Sequence, residues 1–149
     1  MKVSRTAITP YTPGEMYALV ADVLAYPSFL PWCRSTQVLT QGEDEVRATI
    51  ELAYRGVERL FTTHNRMQRN IGIEMRLVEG PFQCLEGYWR FDPLGDQGCK
   101  VSLTLEYEFS NWLLSIAIGP VFNPIINNLV DAFHTRALAV YGRRSITPP

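Results

Sequence analysis

CKVSLTLEYEF, residues 99–109, alternates almost without fault. Val101, Leu103, Leu105, Tyr107 and Phe109 fall on one side, and Ser102, Thr104, Glu106 and Glu108 on the other. A period of two with one dry face and one wet face describes a half-buried strand. The period then changes. Ile126, Leu129, Phe133, Ala137 and Val140 step by three or four, which places them on one stripe of a helix. Two apolar surfaces made by neighbouring segments are buried most simply by laying the helix across the sheet. A long helix over a curved sheet leaves a hollow between them, so this ending points to a carrier of apolar molecules.

Upstream, Lys2 to Thr9 predicts an opening strand. Thr12 then caps a helix, with Pro13 in its first turn and Glu15 three residues after the cap. Pro27 and Pro31 limit Tyr26 to Trp32 to a helical turn and a loop. Val46 to Tyr54 alternates, Gly56 marks a turn, and Val57 to Arg69 is a further strand with a less clean pattern. Ile71 to Leu77 alternates, Leu85 to Phe91 is aromatic and strand-like, and Asp92 to Gly98 reads as a turn-rich loop. The order predicts an α+β fold in one domain over residues 1–149. The last helix is expected to bend or restart near Asn123-Pro124, where Asn can cap and Pro can occupy the first position.

Composition narrows the function classes. With 46% hydrophobic and 19% charged residues the chain has the makings of a core, and disorder is excluded. A net charge of −1 argues against a general DNA or RNA binder. Of the fourteen basic residues only Lys2 and Lys100 are lysine. Arg55, Arg59, Arg66 and Arg69 face the single acid Glu58 within residues 54–73, a local charge of +3. Guanidinium forks suit phosphate and carboxylate, although a solvated hairpin face explains them equally well. Cys33, Cys84 and Cys99 make neither a disulfide framework nor a zinc motif, which fits a reducing cytoplasm. Residues 110–130 carry no charge, but Pro120, Pro124, Asn123, Asn127 and Asn128 argue against a bilayer span. An apolar lip touching the inner membrane peripherally is the remaining membrane option.

No catalytic constellation stands out. His64 and His134 sit in no metal-ligand motif, no phosphate loop or nucleophile elbow is present, and Glu106 and Glu108 lie on the wet face of their strand. Neither a catalytic set nor a metal site is expected.

Three runs are distinctive together: YPSFLPWC at 26–33, GPFQCLEGYWRF at 80–91 and VDAFHTRALAVYG at 130–142. In them the chain resembles the coenzyme Q-binding branch of the START-like, helix-grip proteins, a polyketide cyclase-like superfamily whose bacterial members include ribosome association toxins. The first run is intact from Tyr26 to Cys33. The second supplies Gly80, Pro81, Phe82, Leu85, Trp89 and Phe91, and the third Val130, Asp131, Ala132, Phe133, Arg136, Ala137, Val140, Tyr141 and Gly142. The resemblance implies a curved antiparallel sheet of six to seven strands around a long C-terminal helix, with two short helices after the first strand. It implies no enzymatic activity and no required cofactor.

Two roles follow from it. The first is binding of ubiquinone or a similar isoprenoid lipid in a tunnel, in support of respiration. Its expected lining is Phe29, Leu30, Trp32, Phe82, Leu85, Trp89, Leu103, Leu105, Tyr107, Ile126, Leu129 and Phe133. Trp32 and Phe82 would guard the mouth. The second is binding of the large ribosomal subunit, blocking subunit association, with Arg55, Arg59, Arg66 and Arg69 as the contact.

Overall fold

The computed structural model describes residues 1–145. Strands β1 (Lys2–Thr9), β2 (Cys33–Gln41), β3 (Glu45–Tyr54), β4 (Val57–Gln68), β5 (Gly72–Glu79), β6 (Phe82–Leu94) and β7 (Gly98–Phe109) form one antiparallel sheet in the order β1-β7-β6-β5-β4-β3-β2. Helix α1 (Pro13–Ala21) and a 3-10 helix (Val23–Ser28) join β1 to β2. Helices α2 (Trp112–Asn127) and α3 (Leu129–Tyr141) close the chain over the sheet's apolar face. The expected α+β helix-grip architecture is present.

The local signals explain most elements. Thr12 Oγ1 accepts from the Glu15 N–H at 3.1 Å, and Glu15 Oε1 accepts from the Thr12 N–H at 3.0 Å. This capping box starts α1 with Pro13 at its first position. Arg144, at 2.5 Å from the same carboxylate, holds Glu15 below the usual carboxyl range. Thr12→Ala is expected to cost about 1 kcal/mol in urea unfolding; an unchanged midpoint would mean that packing alone fixes this helix. At the β3–β4 turn Arg55 and Gly56 both take positive φ, +48° and +81°, which is the two-residue hairpin geometry that matches strand twist.

Three expectations need correction. Strand β2 was not visible in CRSTQVLTQ because its register against β3 shifts twice, at Cys33/Ser35 and at Val38/Thr40. Each shift reverses which side chains face inward, so no steady alternation survives. Asp92–Gly98 is mostly strand rather than loop: β6 runs to Leu94 and Pro93 pairs with Cys99 of β7. Proline is tolerated there because β5 has already ended, its last pair being Gly72 with Arg90.

The long C-terminal helix is two helices, bent by 49° at Asn128 and not at Asn123-Pro124. Pro124 removes an amide donor inside α2 without ending it. The Asn127 and Asn128 side-chain amides donate to the Asn123 and Pro124 carbonyls, each at 2.8 Å, and the helix gives way one turn later. Among the described residues no single helix is long and apolar enough to cross a membrane.

The core divides with the helix. Under α1 and α3 lie Met16, Val20, Ile73, Trp89, Leu103, Phe133 and Ala137. Under α2 lie Leu52, Phe82, Leu85, Leu105, Tyr107, Phe122 and Ile126. Trp32, Met75 and Leu129 touch both groups.

Candidate functional site

At the seam between the two core groups is an apolar cavity of about 80 Å³. The sheet supplies its floor through alternate residues of β3, β4, β5, β6 and β7, and α2 and α3 supply its roof. Of the expected lining, Trp32, Leu85, Trp89, Leu103, Leu105, Ile126, Leu129 and Phe133 meet here. The other four are elsewhere.

Phe29 packs on the far side of Phe133, ring centroids 5.5 Å apart, with Arg136 stacked 4.7 Å above it. Leu30 is fully buried and belongs to a surface groove. Phe82 is stacked on Phe109 at 5.1 Å and packed against Phe122, so it fills the core and guards no mouth. Tyr107 donates its hydroxyl to Asn123 Oδ1 at the edge of α2, away from the void. In the three aromatic cases the ring finds other rings to bury against, which periodicity cannot distinguish from facing a hollow.

Several lining residues escaped the sequence reading, among them Met75, Phe122 and Ile125. Thr63 and Asn65 did so as well, although a signal was present. They are polar residues in phase with Phe61 and Met67, and they caused the unclean pattern of residues 57–69. Gly87 also matters here. A Cβ on it would lie 2.7 Å from both Leu105 Cδ1 and Met75 Cε, so the glycine makes room for two residues of the lining.

Outside the cavity runs a groove of about 320 Å³, bordered by Leu30, Pro31, Tyr54, Arg55, Pro120 and Pro124. Trp32, Ile125 and Leu129 line both the groove and the cavity. The wall between them is therefore one side chain thick. A typical small-molecule pocket occupies roughly 300–1,000 Å³, so the cavity alone is too small for a lipid. The groove lies within that range, and Trp32, Ile125 and Leu129 separate it from the cavity.

The four arginines do not converge. Arg55 is at the β3–β4 turn and Arg69 follows the other end of β4, about 46 Å away along an extended chain at 3.3 Å per residue. Arg59 shares the phase of Phe61, whereas Arg66 shares that of Thr62 and His64, so they project from opposite faces. All four are exposed, and none makes an ion pair among the described residues. Nearby Glu58 is instead held by Arg34 at 2.9 Å.

Chemically reactive groups are subdued. Burial pushes the Cys33 and Cys99 thiols up to about 11, which leaves exposed Cys84 as the accessible thiol. Among the described residues no group of three His, Cys, Asp or Glu side chains is placed to hold a metal.

Residues 9–134 match the family model described as polyketide cyclase / dehydrase and lipid transport. The chain belongs to this family. Within it, the ribosome association toxin RatA of Vibrio cholerae is 43% identical over 141 residues, covering 95% of this chain and 98% of the relative. The mitochondrial coenzyme Q-binding protein COQ10 homolog B of Xenopus laevis is 27% identical over 151 residues, covering 98% of this chain and 62% of the relative. Among solved structures, a START superfamily protein from Mycobacterium smegmatis superposes with a TM-score of 0.79 at 19% identity, covering 93% of this chain and 98% of the other. The Zhui aromatase/cyclase from Streptomyces sp. R1128 does so with 0.79 at 18%, covering 92% and 93%. At those identities the two structures establish the fold alone. The family description names both cyclases and lipid transport, and a shared scaffold does not choose between them.

Proposed function

We propose that this protein is a non-enzymatic ribosome-association factor that binds the large ribosomal subunit and hinders subunit joining. The observation that carries this reading is the end-to-end correspondence with a ribosome association toxin, 43% identical across 95% of the chain. The geometry supports it in two ways. The interior is largely filled, which leaves the outer surface as the working part. Four exposed arginines also keep their guanidinium donors unpaired among the described residues. A protein at work on ribosomes works in the cytoplasm; a peripheral contact with the inner membrane gains no support from this placement.

The test is sucrose-gradient sedimentation of purified subunits with and without the protein. Comigration with the large subunit and a smaller associated-ribosome peak are expected. An unaltered profile with the protein left at the top would overturn the assignment.

A second reading is favoured by the apolar cavity and by the likeness to a coenzyme Q-binding protein over 98% of the chain. In it the cavity and groove hold ubiquinone or another isoprenoid lipid, admitted by displacement of Trp32. Organic extraction of protein from a quinone-producing host, followed by mass spectrometry, tests it. Quinone at about one per chain supports it, and a clean extract argues against it.

A further inference from the structure

One pair of side chains breaks the apolar rule of the cavity wall. Thr63 and Asn65 project from β4 toward the helices, between Phe61 and Met67 on the same face. They are only 5% and 8% exposed. Thr63 Oγ1 donates to Asn65 Oδ1 at 2.9 Å, which fixes the amide and occupies its acceptor. The two amide N–H donors are left without a protein partner among the described residues, and they border the void. A second void of about 20 Å³, under α1, is also lined by Asn65. No buried side-chain nitrogen or oxygen is orphaned among the described residues, so the Asn65 amide nitrogen keeps accessible surface where it borders the void.

We propose that Thr63 and Asn65 form a recognition site for an apolar molecule that carries a hydrogen-bond-accepting oxygen, a carbonyl or an ether. The apolar lining takes the hydrocarbon, and the Asn65 amide donates to the oxygen. Thr63 acts as a positioning residue: by donating to Oδ1 it turns the amide so that N–H, not C=O, faces the ligand. A hydrocarbon with no such oxygen would leave the pair idle. The proposal rests on the second reading above, and it names the feature by which that site would choose its ligand.

Cyclohexanone and methylenecyclohexane test this, because they share one shape and differ only in =O against =CH2. Each is titrated into the intact protein and followed by NMR at the Trp32 and Trp89 indole N–H signals. In Asn65→Leu, cyclohexanone binding is expected to weaken about five- to tenfold relative to methylenecyclohexane, the worth of one net hydrogen bond. Thr63→Val, which keeps shape and removes only the hydroxyl, should shift the same ratio in the same direction by less. Melting temperatures of both variants check only that each is folded, since Asn65→Leu also takes away the acceptor of the Thr63 hydroxyl. An unchanged ratio in both variants, with methylenecyclohexane still bound, would overturn the recognition site and leave the cavity as a binding site. Failure of the wild-type protein to bind either probe would overturn both.

Discussion

Reversal of all four arginines to glutamate (Arg55, Arg59, Arg66 and Arg69) is expected to weaken binding to the large ribosomal subunit by about 100-fold at moderate salt. Each guanidinium that neutralises an RNA phosphate contributes roughly 0.7–0.9 to the slope of log affinity against log salt. Four such contacts give a slope near 3, so the variant should lose affinity and most of its salt dependence together. The placement of the residues adds a sharper expectation. Arg55 and Arg59 lie toward one end of the hairpin, and Arg66 and Arg69 toward the other. The two pairs are too far apart to share a phosphate, so each pair of reversals should cost about tenfold and the two should add. Because the four side chains are exposed and hold no ion pair among the described residues, thermal unfolding should barely move. Affinity and salt slope both equal to wild type would remove the hairpin from the contact.

Phe133→Ala should have the largest effect on stability. Phe133 is 1% exposed and meets Tyr26, Phe29 and Trp89 edge-on, at 5.5, 5.5 and 5.4 Å between centroids. Truncation removes the ring from the centre of the first core group and enlarges a void already present beside it. Changes of this kind cost about 3–5 kcal/mol. For a chain of this size that corresponds to a melting temperature lower by roughly 10–15 °C. A loss under about 1 kcal/mol by circular dichroism would show that the surrounding rings close the gap, and that α3 is held mainly from elsewhere.

The fold was legible where burial imposes a steady period. Residues 99–109 alternate because β7 lies between two partners, β1 and β6, with only one face dry. Thr12 and Glu15 announce α1 because the capping box is a purely local exchange of hydrogen bonds. Strand β2 was hidden because two register shifts erase its phase, and its pairing with β3 is decided across the sheet. The bend at Asn128 was misplaced by one turn because side-chain amides of Asn127 and Asn128 satisfy carbonyls that the prolines disturb.

The cavity was legible in outline only. Leu103, Leu105 and Phe133 face it as their periodicity requires, but Phe82 and Tyr107 have the same periodicity and pack against other rings. Which of two inward residues borders a void depends on neighbours from distant segments. The polar intruders Thr63 and Asn65 were the one local clue, and they read as noise in the pattern.

The joint at Asn128 puts the outside and the inside of the protein on one element. Helix α2 is sixteen residues long, about 24 Å, and is held at one end by β7, two residues before it, and at the other by the bend into α3. Near β7 its Trp112, Leu113 and Ile116 stand 60–69% exposed, while near the bend Ile125 forms part of the wall between groove and cavity. A body that covers the exposed apolar end therefore rests on the same rigid rod that roofs the cavity.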